Sequence, residues 1–426
     1  MKGFIMLDMK YIRENPDKVK AGIKNKKVDI DIDGLLELDK KRRDILGEVE
    51  VLKAERNKAT NLIAELKRNK ENADEAVLKS REIGDRIAGY DEDLRVVEKD
   101  IKDVMMMIPN LPHDSVPVGR DADDNIEVRQ GGAKRDFTFT PKDHLQLSEK
   151  LGIMDFKRSS RMSGSGFPLY VGKGATLERA LISYMLDYHI KDGYKEIMPP
   201  IMALPSAMEG TGQLPKLKED MYYCEKDDLY LIPTAEVTIT NMHREEMLSA
   251  ENLPIYYVGY TPCFRREAGS YGKDTKGLLR VHQFNKVEMV KFVKPETSYD
   301  EHEDLVKRVE GILDSLKLHY RILLLCTGDL SFSAAKCYDI ETWSPAENKY
   351  LEASSCSNFE DFQARRMDLR YRPEPKAKPE FLHTLNGSGL ATSRLMVSIL
   401  EHYQNEDGSI TVPEVLRKYT GFDVID

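Results

Sequence analysis

The most regular hydrophobic pattern lies in the first quarter of the chain, where apolar residues recur at alternating spacings of three and four. Ten positions within residues 35–66 follow this spacing, and two of them are the arginines Arg42 and Arg56. A second set of ten positions follows within residues 76–108. Spacings of three and four indicate helices that each present one narrow apolar seam.

A short polar segment, residues 67–74, joins these two seams. Two helices of similar length with a short connection predict an antiparallel helical hairpin. At about 1.5 Å per residue, each arm would extend roughly 45 to 50 Å. The first arm has a basic bias and residues 71–103 are acid-rich. One interpretation is an ordinary solvated coiled coil or dimerisation zipper, and the other is a surface that binds a long polyanion.

Residues 141–426 show a different pattern, in which amphipathic helices alternate with short β-rich segments. A helix is predicted at residues 177–190, and strands at 229–233, 255–260, 287–292, 320–325 and 337–343. Connections of hairpin length favour an antiparallel sheet. The sequence therefore predicts an α+β fold with an N-terminal domain at 1–110, a linker at 111–140 and a catalytic domain at 141–426.

Composition narrows the class of protein. The 426 residues carry 64 basic and 73 acidic side chains, a formal charge of −9, which argues against a generally polycationic nucleic-acid binder. A polyanionic partner must therefore meet a local patch. The chain lacks a run of about 18 apolar residues, and its five cysteines include no Cys-x-x-Cys pair. We expect a cytoplasmic protein with reduced thiols and no membrane association, which starts at Met1 or at Met6.

Neither of the glycine-rich phosphate-binding motifs, Gly-x-Gly-x-x-Gly or Gly-x-x-x-x-Gly-Lys-Ser/Thr, occurs, so side chains must bind any phosphate. Arg265 and Glu267 are two apart, and on one strand they would project from the same face. A guanidinium can bind a phosphate through two hydrogen bonds, and a carboxylate can accept one from the amino group of adenine. A surface ion pair is the more common role of such a pair of residues.

Two further segments contain candidate ligands. Residues 386–394 predict a glycine-rich turn that enters a helix with Arg394 near its start, although an ordinary helix entry has the same pattern. Glu352 and Ser355 offer hard oxygen ligands suited to Mg²⁺, although Glu-x-x-Ser is also an ordinary turn.

Together these segments resemble the seryl-tRNA synthetases, a family of class II aminoacyl-tRNA synthetases. Motif 1 of that class is similar to residues 177–200, motif 2 to residues 264–284 and motif 3 to residues 387–394. The short signatures of the serine family are Thr234-Ala235-Glu236, Arg265-Arg266-Glu267, His282-Gln283-Phe284, Glu352-Ala353-Ser354-Ser355 and Asn386-Gly387-Ser388. The resemblance extends over essentially the whole chain, including the hairpin.

The resemblance implies three overlapping sets of site residues. The catalytic residues would be Arg265, Glu267 and Arg394. ATP would be bound by Arg265, Arg266, Glu267, Arg280, Val281, Phe284, Glu352, Ala353, Ser354, Ser355 and Arg394. Serine would be bound by Thr234, Ala235, Glu236, Arg265, Glu288, Asn386 and Ser388. Mg²⁺ would be held by Glu352 and Ser355.

The resemblance also implies an activity: a homodimer, formed through motif 1, would activate L-serine with ATP and transfer it to tRNA(Ser), and to tRNA(Sec) in hosts that have it. Two alternatives are weighed against it. A non-catalytic or carrier-protein-directed paralogue would usually lack the arm or the arginines of motifs 2 and 3, all of which this chain keeps. A coiled-coil interaction protein with a fused nucleotide-binding fold would exchange pyrophosphate without charging tRNA.

Overall fold

The computed structural model describes residues 7–268 and 276–426. Both alternative starts, Met1 and Met6, and the centre of motif 2, residues 269–275, lie outside the described residues. The chain divides into two compact units, one of residues 1–24 and 28–108, the other of residues 25–27 and 109–426.

The N-terminal unit is helical. Its helices are α1 (Met9–Glu14), α2 (Pro16–Asn25), α3 (Ile32–Asn69) and α4 (Asp74–Met107). Arg42 Nε lies 2.9 Å from Glu98 Oε1, whereas Leu52, further along α3, packs against Ile83 and Ile87. As residue numbers increase along α3, the numbers of their contact residues on α4 decrease. The two helices are therefore antiparallel, and the predicted hairpin is confirmed.

Burial along the hairpin follows the predicted seam only in part. On α3, Leu35, Ile45, Val49 and Leu52 are buried, but Arg56 is exposed. The later seam positions of α3, Ala59, Ile63 and Leu66, are only half-buried. The apolar contact between the helices is therefore weaker toward the connection between them.

The second unit contains a mixture of helices and strands. Its α-helices are α5 (His144–Leu151), α6 (Phe156–Ser163), α7 (Lys173–Lys191), α8 (Pro205–Gly210), α9 (Glu236–Thr240), α10 (Ser298–Ser315), α11 (Phe362–Met367), α12 (Thr392–His402) and α13 (Glu414–Thr420). Short 3-10 helices occur at Ala122–Asp124, Lys218–Asp220, Asn241–His243, Ala250–Asn252 and Pro295–Thr297.

The strands of this unit are β1 (Ile126–Gly131), β2 (Lys195–Ile197), β3 (Met202–Ala203), β4 (Tyr223–Cys224), β5 (Leu229–Leu231), β6 (Met247–Ser249), β7 (Ile255–Phe264), β8 (Gln283–Val293), β9 (Tyr320–Leu324), β10 (Lys336–Ser344), β11 (Lys349–Asn358), β12 (Arg370–Arg372), β13 (Glu380–Phe381), β14 (His383–Ala391), β15 (Ile410–Thr411) and β16 (Val424–Ile425). Within the described residues, eight of them form one sheet in the order β1-β9-β10-β11-β14-β8-β7-β2.

This large sheet is antiparallel except between β2 and β7, which are parallel. The five strands expected from the sequence are all present, and β7 and β8 extend several residues beyond the predicted bounds. The segment 111–140, expected to be a linker, supplies the edge strand β1, which pairs with β9. Its alternation of polar and apolar residues is short, and pairing with β9 rather than local pattern makes it a strand.

The main hydrophobic core lies between this sheet and the helices α7, α10 and α12. Apolar residues of the three helices, among them Leu181, Leu305 and Leu395, are fully buried there. Alternate residues of the central strands point into this core, so the intervening residues point to the opposite face. That opposite face carries the candidate site.

Candidate active site

A cavity of about 550 Å³ lies on the face of the sheet opposite the main core, within the size range of small-molecule sites. It brings together fourteen of the residues predicted from the sequence: Thr234, Glu236, Arg265, Glu267, Arg280, Val281, Phe284, Glu352, Ala353, Ser354, Ser355, Asn386, Ser388 and Arg394. Three others do not line it. Ala235 and Glu288 are buried behind it, and Arg266 is exposed.

The expectation that Arg265 and Glu267 share one face of a strand was wrong. Strand β7 ends at Phe264, and Glu267 has a backbone φ of 53°, in the left-handed region. Both side chains nevertheless line the cavity. Glu267 Oε2 accepts a hydrogen bond from Arg280 Nη1 at 2.6 Å, and the Arg265 guanidinium lies 5.2 Å from the centre of the Phe284 ring. A backbone turn, and not strand alternation, brings the two residues together.

Strand β11 contains a one-residue bulge at Ala353. Ile340 on β10 is paired with Ser354 and Glu341 with Glu352, so Ala353 has no partner opposite it. An extra residue shifts the alternation of faces by one. Glu352 and Ser355, which a regular strand would place on opposite faces, therefore both line the cavity.

The segment expected to be a glycine-rich turn, residues 386–389, lies inside strand β14. A side chain at Gly387 would collide with Leu305 of α10, and one at Gly389 with His189 of α7. The glycines therefore allow helices to pack closely on the core face, and the expectation that they admit a ligand was wrong. The residues between and before them, Ser388 and Asn386, face the cavity.

Arg394, the third residue of α12, also reaches the cavity. Its Nη1 donates to the backbone oxygen of Glu352 at 2.8 Å and to Glu352 Oε2 at 3.1 Å. Its Nε donates to the Leu279 oxygen at 3.3 Å. The guanidinium is thus oriented by the bulged strand and by motif 2.

A buried polar network forms one end of the cavity. Lys286 Nζ lies 2.6 Å from Glu288 Oε2 and 2.9 Å from Thr234 Oγ1, and the Thr234 hydroxyl donates to Glu288 Oε2 at 2.9 Å. Asn386 Nδ2 donates to Glu288 Oε1 at 3.0 Å and to Glu236 Oε2 at 2.9 Å. Hydrogen bonds to both carboxylates fix their orientation in the low-dielectric interior.

Two carboxylates share this network, and one of them titrates abnormally. Burial, reinforced by the neighbouring Glu288 carboxylate, raises the pKa of Glu236 to about 7. The Gln363 amide counteracts this shift, because its Nε2 donates to Glu236 Oε1 at 2.7 Å. A cationic group bound between the two carboxylates would relieve their repulsion.

A third carboxylate lies beside the bulge. Asp339 on β10 is the cross-strand partner of Ser355 and hydrogen-bonds to it. Burial, together with the charge of Glu352, raises the pKa of Asp339. Two carboxylates and a hydroxyl close together favour a bound cation.

The sequence reasoning missed Lys286, Gln363 and Asp339. Lys286 was detectable, because it lies two positions before Glu288 on a predicted strand and so shares its face. Gln363 is 127 positions from Glu236 and only the tertiary fold brings them together. Asp339 likewise lies on a different strand from Ser355, and local pattern does not connect the two.

The fold is that of the catalytic core of class II aminoacyl-tRNA synthetases. Residues 221–403 match the family model described as tRNA synthetase class II core domain (G, H, P, S and T), and residues 6–112 match the seryl-tRNA synthetase N-terminal domain. The serine–tRNA ligase of Chloroherpeton thalassium is 56% identical over 99% of this chain and 100% of its own length. The chain belongs to the seryl-tRNA synthetase family.

Solved structures agree over the full length. The crystal structure of seryl-tRNA synthetase from Pyrococcus horikoshii complexed with ATP has a TM-score of 0.93 and 40% identity, and the match covers 99% of each chain. Cytoplasmic serine–tRNA ligase from Naegleria fowleri in complex with AMP has a TM-score of 0.89 and 29% identity, with the same coverage. Among residues 7–268 and 276–426, no helix combines the length and apolar character needed to cross a membrane.

Proposed function

We propose that this chain is a serine–tRNA ligase, which activates L-serine with ATP to seryl-adenylate and then transfers serine to the 3′ end of tRNA(Ser). The observation that carries the proposal is the convergence of two kinds of group in one cavity. Arg265, Glu267 and Arg394 supply charge for a nucleotide, and Thr234 and Asn386 supply a polar pocket for a small hydroxyl-bearing substrate.

The nucleotide would lie along motifs 2 and 3. Arg265 would bind the α-phosphate and the serine carboxylate, Glu267 the adenine amino group, and Arg280 the phosphate tail. Phe284 and Arg394 would hold the adenine ring by stacking and cation–π contact. The contacts of Arg394 with Glu352 and of Arg280 with Glu267 support these roles, since both guanidiniums are already oriented.

The chemistry would require no covalent nucleophile of the protein. A serine carboxylate oxygen would attack the α-phosphorus, and the bond to pyrophosphate would break. A hydroxyl of the terminal adenosine of tRNA would then attack the seryl carbonyl carbon and displace AMP. Alignment of the reactants and stabilisation of charge on the α-phosphate by Arg265 would supply the acceleration.

The serine pocket would be the buried network, with Thr234, Ala235, Glu236, Glu288, Asn386 and Ser388. The raised pKa of Glu236 supports this assignment, because the serine ammonium is the kind of cation that would relieve its repulsion with Glu288. A site that hydrogen-bonds the substrate hydroxyl discriminates against alanine, since its own polar groups would be left unpaired.

Mg²⁺ fits the residues at the bulge. Glu352 and Ser355 present a carboxylate and a hydroxyl on one face, beside Asp339, and Mg²⁺ in such sites is bound by one or two carboxylates together with substrate phosphates. Glu352 and Ser355 would hold the ion, which would neutralise phosphate charge. Arg394 would keep the Glu352 carboxylate oriented.

The partners follow from other parts of the chain. The hairpin of α3 and α4 would bind tRNA(Ser), and tRNA(Sec) in hosts that have it, through the basic side chains of α3. Motif 1 would form a homodimer, which the strong exposure of Met198 (89%) and Leu204 (59%) near α7 supports. Free thiols at Cys224, Cys263, Cys326, Cys337 and Cys356 are compatible with a cytoplasmic location.

Aminoacylation of bulk tRNA with a panel of labelled amino acids tests the function. Serine should be the one amino acid incorporated. Incorporation of another amino acid, or serine-dependent pyrophosphate exchange without charging of tRNA, would contradict the proposal and favour a paralogue.

The role of the hairpin has its own test. Replacement of residues 39–102 by a short flexible linker should abolish charging of tRNA while serine-dependent pyrophosphate exchange persists. Undiminished charging would show that the hairpin does not bind tRNA.

A further inference from the structure

The backbone at Glu267 is held by a residue far away in the chain. Glu267 adopts a left-handed φ of 53°, which residues other than glycine rarely adopt. Such a conformation persists where surrounding contacts impose it. The two backbone N–H groups that flank Glu267, those of Arg266 and Ala268, show which contacts do so here.

Both of these N–H groups donate to Asp220. Arg266 N lies 2.9 Å from the backbone oxygen of Asp220, and Ala268 N lies 3.0 Å from Asp220 Oδ1. The second bond has a carboxylate as its acceptor and is therefore of the stronger, charge-assisted kind. One residue thus fixes the backbone on both sides of the left-handed position.

Asp220 is itself well placed for this task. It ends the 3-10 helix Lys218–Asp220 and is only half-exposed, and its own N–H donates to the Leu217 oxygen at 3.0 Å. It lines the same cavity as Glu267. The neighbouring Glu219 is exposed and does not line the cavity, so the two adjacent carboxylates differ in surroundings.

The direction of the Glu267 side chain depends on this turn. Its Oε2 meets Arg280 Nη1 at 2.6 Å, and its side chain is 20% exposed. We propose that Asp220 is a positioning residue, which holds the left-handed turn at Glu267 and so places the carboxylate that selects the 6-amino group of the purine. The proposal rests on the function proposed above, in which Glu267 accepts a hydrogen bond from adenine.

Discrimination between ATP and ITP measures this role directly. Adenine carries an amino donor at position 6, and hypoxanthine carries a carbonyl oxygen there, so a carboxylate acceptor favours ATP. In serine-dependent pyrophosphate exchange, D220A should lower the ratio of kcat/KM for ATP to that for ITP by about tenfold, equivalent to about 1.4 kcal/mol. The KM for serine should stay within twofold of the wild-type value, because the polar network around Thr234 makes no contact with Asp220 among the described hydrogen bonds.

Three further variants make the test specific. D220N keeps an oxygen acceptor for Ala268 N and should retain most of the discrimination, and E219A, which removes the same charge from the exposed neighbour, should leave the ratio unchanged. In an E267G background, where glycine accepts the positive φ and the carboxylate is absent, D220A should have no further effect on the ratio. If D220A does not fold, D220S replaces it, because the serine side chain is polar but shorter than that of aspartate.

The proposal is overturned if D220A leaves the ATP/ITP ratio unchanged, if the serine KM rises by the same factor, or if D220A lowers the ratio equally in the E267G background. Failure of the proposed function would look different, because the wild-type chain itself would then lack serine-dependent exchange or a preference for ATP.

Discussion

Arg265 and Arg266 are adjacent in the chain, but only Arg265 lines the cavity. Both side chains are exposed, but the Arg265 guanidinium lies 5.2 Å from the centre of the Phe284 ring, whereas Arg266 does not line the cavity and its backbone N–H donates to the Asp220 backbone oxygen. The sequence reasoning assigned both to ATP binding. The geometry separates them and supplies a matched pair of variants.

R265A should abolish serine-dependent pyrophosphate exchange, with a loss of roughly 100- to 1,000-fold in kcat, because it removes the donor that meets developing charge on the α-phosphate. R266A removes the same charge at the next position and should change kcat by less than about threefold, since the Arg266 side chain does not line the cavity. Equal losses in both variants would show that the local charge, and not the position of Arg265, matters.

The abnormal titration of Glu236 predicts a particular dependence of stability on pH. Its pKa is about 7 in the folded chain against 4.5 for the unpaired group, so the folded state binds the proton more tightly. Protonation of Glu236 therefore favours folding. Below pH 4.5 its charge does not lower the free energy of unfolding; the loss of stability grows as pH rises and is complete above pH 7. The stability lost across this window is at most about 3 kcal/mol.

E236Q does not titrate, so its unfolding free energy should fall less than that of the wild type between pH 5 and pH 8. Urea denaturation at several pH values measures both slopes. E225Q, at an exposed position, should keep the wild-type slope. Parallel slopes for E236Q and the wild type would contradict the prediction.

Local pattern was sufficient for the long helices and the central strands of this fold. Heptad spacing predicted the helices α3 and α4, because one face of each is buried against the other, and β-rich composition predicted the strands β7 and β8, although β8 is buried on both faces. The strand β1 escaped prediction since its pairing with β9 spans nearly 200 residues, and short-range pattern carries no information on such contacts.

Fourteen of the residues that the motifs indicated lie together at one cavity, but the backbone geometry that brings them there was not predicted. Glu267 reaches the cavity through a left-handed turn, and Gly387 serves helix packing and not a ligand. The two errors have different causes. A positive φ redirects the Glu267 side chain without leaving a strong mark in the sequence, whereas at Gly387 a glycine-rich segment was expected to be a turn but is a strand against which a helix packs.

Lys286 gives a prediction that separates structural from functional effects. The residue is 5% exposed, and its ammonium lies 2.6 Å from Glu288 Oε2. K286M leaves that carboxylate buried without its cation, which should destabilise the fold by about 3 to 5 kcal/mol in urea denaturation. The double variant K286M/E288M removes both charges and should regain a large part of this loss.

Activity should not follow stability in this series. Serine-dependent exchange should be absent in K286M/E288M even though its stability recovers, because Glu288 belongs to the proposed serine pocket. An active double variant would exclude Glu288 from serine binding, and a K286M chain as stable as the wild type would show that the ion pair contributes little to folding.

Deletion of Ala353 tests whether the magnesium site needs the bulge itself or only the common face of Glu352 and Ser355. Because Ala353 is the unpaired residue between Glu352 and Ser354, its removal would restore regular pairing with β10 and leave Glu352 and Ser355 two positions apart, still on one face. We expect the deletion variant to keep exchange activity within about tenfold of the wild-type value, since both oxygen ligands would still face the cavity. The Mg²⁺ concentration needed for half-maximal activity should stay close to the wild-type value for the same reason.

The substitution A353G is the matched control, since it preserves the number of residues and therefore the bulge. It should retain activity within a fewfold and an unchanged Mg²⁺ requirement, and thermal unfolding of both variants should establish that they fold. If the deletion variant folds but loses activity or needs far more Mg²⁺, the bulge contributes more to the site than the common face of Glu352 and Ser355. Loss of activity in A353G with the bulge intact would instead assign the effect to the Ala353 side chain.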